Sequence, residues 1–227
     1  MTISRDRLVP GDRKDRWHPQ GFHVECLRRE GLVYVRTLKA ASEFFWRNLS
    51  ANGWVAIQFN DINWEHDHVF SYLLDPIERR HKGVAERLSG DVGLHLFDDP
   101  AFCNIVAQLP MLDEHSASLD SIYREYLRQI DWIPLTQEPQ DAAAWTNRLL
   151  AHYGYNPIKW IWNYAHTSHP AKHHAYLIIK QLWDRPDSIN PAVRTYFEKD
   201  MLLYLDVLNK FRASSTTWPE TSWLRND

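Results

Sequence analysis

The chain has 227 residues, 44% of them apolar and 24% charged, with a formal net charge of −3. That much apolar side chain supports a packed core and argues against global disorder. The mildly acidic balance argues against the basic footprint of a nucleic-acid binder, and no run approaches the ~18 apolar residues of a membrane span.

Residues 1–20 read as a flexible, charged N-terminal arm; "MTISRDRLVPGDRKDR" has no apolar stretch and does not read as a signal peptide, so the expected location is the cytoplasm. Phe22, Val24 and Cys26 then alternate, Glu30-Gly31 supplies a turn, and Val33 and Val35 alternate again, which predicts a hairpin. "KAASEFFWRNLSANG" predicts a helix closed by Gly53. "WVAIQF" (54–59) predicts a strand with Val55, Ile57 and Phe59 on one face, and "NWEHDHVFSYLL" (63–74) predicts a helix. "DPIERRHKGVAERL" opens a second helix with Asp75 as cap, Pro76 at the first helical position and Glu78 two residues on. "DVGLHLF" (91–97) predicts another strand. The order strand, helices, strand from 54 to 97 predicts a parallel crossover. Asp99-Pro100 starts a further helix. "IDWIPL" (130–135) predicts a strand, placed at an edge by Pro134.

Beyond residue 137 the texture is helical. Asn156-Pro157, His169-Pro170 and Asn190-Pro191 each read as a cap followed by proline at the first helical position. The last helix carries Val193, Phe197, Met201, Tyr204, Leu208 and Phe211 as one apolar stripe. The expected fold class is α/β. A small mixed sheet with a crossover helix unit fills an α/β domain at 21–137. An all-helical C-terminal subdomain follows at 138–212, and a tail at 213–227.

Four histidines fall within nine residues in "HTSHPAKHH" (166–174). A zinc site needs three or four ligands converging on one point. Pro170 pushes His169 out of the helix, which makes it a cap and leaves His166 in the preceding segment. Ala175, Ile178, Ile179, Leu182 and Trp183 mark the buried stripe of the following helix. At about 100° per residue, His173 points away from that stripe and His174 to one side. The residues read as a solvated helix start. A metal site assembled from His166, His169, His173 and His174 across the turn stays open as the alternative. A second alternative is Mg²⁺ held by the strand-end acids Asp61, Asp98 and Asp99, against the simpler reading of Asp99 and Asp61 as helix caps. Glu65, His66 and His68 read as a solvated first turn. No glycine-rich phosphate loop or G-x-S-x-G elbow is present, and Cys26 and Cys103 read as buried free thiols. No cofactor is expected.

Eleven tryptophans are the unusual number. In "NPIKWIWNYAH" a helix from Pro157 would turn Ile158, Ile161, Trp162 and Ala165 to the core. Trp160 would then lie on the opposite side, as an exposed anchor for a partner or a surface covered by Trp218 and Trp223 of the tail. Trp160, Trp218 and Trp223 are therefore the candidate partner-binding residues.

"GWVAIQF" (53–59), followed by "GLHLFDDPAF" (93–102), resembles the core of the type VI secretion effector adaptors, also called effector chaperones. Phe97, Asp98, Asp99 and Pro100 would match that family's aromatic-Asp-Pro signature. "YVRTLKAASEFFWRNL" (34–49) is similar to the segment before it, and the resemblance spans roughly residues 33–135. It implies a non-enzymatic cytoplasmic protein that holds an effector toxin and delivers it to a secretion spike protein, with the helical C-terminal part as lid or cradle. The expected partner is thus another protein, with no nucleic acid and no membrane. A metal-dependent enzyme using the histidines or the strand-end acids is the competing expectation.

Overall fold

The hairpin forms where the alternation places it: β1 (Cys26–Arg29) and β2 (Leu32–Val35) pair antiparallel, Cys26 opposite Val35, and Glu30 turns the corner at φ 55°. The computed structural model describes residues 22, 24–91, 99–136, 139–162, 170–183 and 191–214. The expected arm at 1–20, residues 92–97 of the expected strand at 91–97, and the tail beyond 214 lie outside the described residues.

Among the described residues three more strands join a mixed sheet: β3 (Val55–Ile57), β4 (His68–Leu73) and β5 (Asp131–Pro134), in the order β3-β1-β2-β4-β5. β4 pairs parallel with β2, Leu32 beside His68, and with β5, Phe70 beside Asp131. The fold is therefore α/β, a small mixed five-stranded sheet with helices and a helical C-terminal region. β5 sits at an edge; Pro134 stands opposite Leu73 of β4, and no strand of the described sheet lies on its other side.

Two expectations are corrected. Residues 68–73 form a strand, not part of a helix. Val69 to Leu73 are buried without a break, and a strand covered on both faces shows no alternation that could reveal it. The expected crossover from 54–59 is also not the one formed. β3 is an edge strand bonded antiparallel to β1, and the parallel pairs are β2–β4 and β4–β5.

Among the described residues seven α-helices accompany the sheet: α1 (Ser42–Ala51), α2 (Pro76–Asp91), α3 (Pro100–Gln108), α4 (Leu119–Tyr123), α5 (Pro139–His152), α6 (Pro170–Trp183) and α7 (Pro191–Ala213). Asp91, expected to open a strand, is the last residue of α2. Asp75 caps α2, its carboxylate accepting from the N–H groups of Ile77 and Glu78, both at 2.9 Å. Gly53 follows α1 at φ 84°, a conformation that glycine adopts without strain. Leu149 and Leu150 of α5 and Val207 and Phe211 of α7 share one core with Tyr34, Phe45, Phe70, Tyr72 and Trp132. A second cluster joins α2, α3 and α6 through Val84, Ala85, Leu88, Val106, Ala175 and Ile179. Along the α7 stripe, Val193, Phe197 and Phe211 are buried, while Met201, Tyr204 and Leu208 are partly covered.

The helix expected from Pro157 does not form over 157–162. Two asparagines one turn apart, Asn48 on α1 and Asn52 at its C-cap, capture this segment instead. Asn48 Oδ1 accepts from Ile161 N–H at 2.6 Å, and Asn52 Oδ1 accepts from Lys159 N–H at 3.1 Å. Their amide groups donate back to the carbonyls of the same two residues, at 3.3 and 3.2 Å. Alternate backbone groups are satisfied as in a strand, so the helix loses its hydrogen-bonding advantage. Side chains then alternate with period two: Ile158 is buried, Trp160 is partly covered, and Lys159 and Ile161 face out. Ile161 and Trp162, expected in the core, are exposed; Ala165 lies outside the described residues.

Candidate functional site

Residues that follow the three parallel strands share one cleft. Arg36 follows β2, Leu74 follows β4, and Leu135 and Thr136 follow β5, and all four line a cavity of about 680 Å³. The carboxyl ends of parallel strands are where open α/β sheets place their ligand crevices. α2 supplies Glu78, Lys82 and Glu86, which share a face because they are four residues apart. α6 supplies Lys172, His173 and Tyr176, and the loop before α4 supplies His115.

Charges in this cleft are tied together. Tyr176 donates its hydroxyl to Glu78 at 2.9 Å, and Lys82 lies 3.3 Å from the same carboxylate. Arg36 pairs with Glu25 and, at 2.9 Å, with Glu43. Lys39 and Lys172 both reach one oxygen of Glu86. Burial, reinforced by the neighbouring Lys172 ammonium, brings Lys39 down to about 7, and burial also lowers Lys172. The connection that carries Lys39 holds two non-glycine residues at positive φ, Lys39 at 68° and Ala41 at 50°. Such backbone persists only where its surroundings over-determine it.

A second feature is built on Phe44 and Phe45 of α1, both buried in the main core. Phe44 stacks on Trp160, ring centroids 5.9 Å apart and planes 10° apart, and on Trp162 at 5.3 Å. Phe45 meets Trp160 edge-on at 5.8 Å. Trp162 remains 47% exposed and its neighbour Ile161 41%. The asparagine clamp holds the backbone on either side of Trp160, at Lys159 and Ile161.

The residues singled out from sequence are not gathered into one centre. His166, His169, Asp98, Trp218 and Trp223 lie outside the described residues, as does the side chain of Cys103. His173 and His174 are exposed on α6; His173 lines the cleft and stacks on Tyr176 at 6.3 Å. Among the described residues, no three His, Cys, Asp or Glu side chains come together as a metal site. Asp61 accepts from Gln58 N–H at 3.1 Å, closing a single 3₁₀ turn. Its carbonyl meets Arg28, which also holds Asp67 just ahead of β4, so Asp61 is not at the carboxyl ends of the parallel strands. Glu65 and His66 are exposed, in a turn and not a helix; His68 is the first residue of β4 and stacks on Tyr153 at 3.8 Å. Cys26 is buried and free, and burial pushes its thiol far above the usual range.

Asp99 caps α3, accepting from Ala101 N–H at 2.9 Å. Asp99→Ala is expected to lower stability by about 1 kcal/mol through loss of that cap. Urea unfolding of the two proteins checks this, and an unchanged midpoint would mean that solvent serves the N–H equally well.

Sequence reasoning did not single out Lys39, Glu86 or Lys172. They carry no motif, and they are 47 and 86 residues apart along the chain. The faint signal was a lysine just beyond the strand "LVYV", in the position where parallel strands present ligand-binding residues. Among the described residues, no helix is long and apolar enough to cross a membrane. No protein-family model, curated protein or solved structure matches this chain.

Proposed function

We propose that this chain is a non-enzymatic, cytoplasmic adaptor that holds another protein, with Trp160 and Trp162 as the anchor of the contact. The observation that carries this reading is the ladder Phe44–Trp160–Trp162, which leaves an indole half-exposed beside an exposed isoleucine. Large aromatic groups of this kind dominate protein interfaces. A ring already stacked and clamped loses little further freedom on binding, which favours affinity. The resemblance to effector adaptors supplies the partner class: a secreted toxin held before transfer to the spike protein. Trp218 and Trp223, singled out from the sequence, remain candidate partner-binding residues of the same adaptor reading.

The test uses the full chain co-expressed with each protein encoded beside it, followed by calorimetry on the purified pair. Trp162→Ala is expected to leave the melting temperature within a few degrees, because the ring is half outside the fold. Partner affinity should fall about thirtyfold, equivalent to about 2 kcal/mol. Equal affinity of the variant and the wild type would remove the ladder from the interface. If no neighbouring product binds, the adaptor reading fails as a whole.

A further inference from the structure

We propose that the cleft at the carboxyl ends of β2, β4 and β5 binds a small organic anion, whose carboxylate or phosphate head seats between the ammonium groups of Lys39 and Lys172. The surplus charge is local. Arg36 and Arg47 share Glu25 and Glu43, and Lys82 is matched by Glu78, whereas Lys39 and Lys172 converge on a single oxygen of Glu86. With both amines protonated, two ammonium groups on one carboxylate leave one positive charge uncompensated, and the cost of that charge agrees with the lowered proton affinity of Lys39. Lys39 has little water to compensate it, its side chain being 12% exposed. An uncompensated charge in a partly dry site is costly, and an arriving anion offsets that cost.

The remaining walls set the rest of the ligand. Leu38, Leu74, Ala85 and Leu135 give an apolar bed. A volume of about 680 Å³ is the scale of a small-molecule site and is too small for a folded partner. The ligand is therefore a compact molecule with one anionic end and a short apolar body. The lowered proton affinity of Lys39 agrees with this arrangement, since an anion beside it would restore the ammonium. The strained backbone at Lys39 and Ala41 holds the amine over the cleft at a local cost that the surrounding packing offsets. The inference is independent of the adaptor reading, because the cleft and the tryptophan ladder share no lining residue.

The experiment is a calorimetric titration of the full chain, at neutral pH and low salt, with inorganic phosphate and separately with hexanoate. Wild type is expected to bind at least one of them saturably at one equivalent. Lys172→Met should weaken that binding about tenfold, the loss of one charge-assisted hydrogen bond. Glu86→Gln keeps the shape but removes the carboxylate that competes for both amines, so it should tighten binding severalfold. A gain of affinity cannot arise from damage to the fold. Lys199→Met, on α7 beside Asp120, should bind as wild type. Tighter phosphate binding assigns a phosphate head, and tighter hexanoate binding a carboxylate. Absence of saturable binding to both probes overturns the proposal. So does Lys172→Met binding as wild type, or Glu86→Gln failing to tighten.

Discussion

Asp200→Ala is expected to lower stability by about 3–5 kcal/mol, the largest loss foreseen for a single substitution here. Asp200 sits on α7 with no solvent exposure, facing Arg79 of α2, which has none either; the charged groups are 3.8 Å apart. Its two carboxylate oxygens also accept from the first turn of α4, Leu119 N–H at 2.6 Å and Asp120 N–H at 2.9 Å. One side chain thus ties α7, α2 and α4 together. Burial raises its proton affinity while Arg79 and the two amides oppose that rise. Alanine would leave a buried guanidinium whose remaining hydrogen bond is to the carbonyl of Ala117, and two amide donors without an acceptor. Asp200→Asn keeps one oxygen acceptor and should cost less, about 2 kcal/mol. Urea unfolding at neutral pH measures both. A loss below 1 kcal/mol for alanine would show that Arg79 reaches another acceptor once Asp200 is gone.

Gly83→Ala is expected to destabilise by about 2 kcal/mol, although alanine is the better helix former. Gly83 lies inside α2, where exchange to alanine ordinarily gains about 1 kcal/mol. Here the backbone of the loop before α4 crosses directly over it. An added methyl would overlap the His115 carbonyl group and come within 2.8 Å of Ser116 N. Backbone cannot rotate aside as a side chain can. The loop is also held in place: Ser116 Oγ accepts from Leu112 N–H at 2.9 Å, and Asp113 accepts from His115 N–H at 3.0 Å. Relief would require α2 to move off the loop, against the packing of Val84, Ala85 and Leu88 on α6. The midpoint of chemical unfolding reads the outcome. A stabilised variant would mean that the loop yields freely and that the close approach carries no strain.

Features governed by neighbours along the chain were legible from sequence alone. The β1–β2 hairpin followed from two-residue alternation around Glu30-Gly31. The starts of α2 and α3 followed from Asp75-Pro76 and Asp99-Pro100, whose carboxylates cap their own helices. The long stripe of α7 and the edge position of β5 were equally local, as was the α/β class. Each depends on forces acting within about one helical turn or one strand pair.

Tertiary structure decided the rest. Residues 68–73 are a strand because β2 and β5 flank them, and burial on both faces erases the alternation that would have shown it. The segment Ile158–Trp162 carries apolar groups compatible with either period. Asn48 and Asn52, more than a hundred residues away, choose period two by taking its backbone hydrogen bonds. Which acids stand at the ends of parallel strands depended on which strands pair, and Asp61 follows a strand bonded antiparallel to β1. Lys39, Glu86 and Lys172 meet because β2, α2 and α6 are brought together, which no local pattern encodes. Capping and periodicity are short-range and written in order along the chain. Strand pairing and charge clustering are set by which apolar faces bury one another, and that is settled only when the whole chain packs.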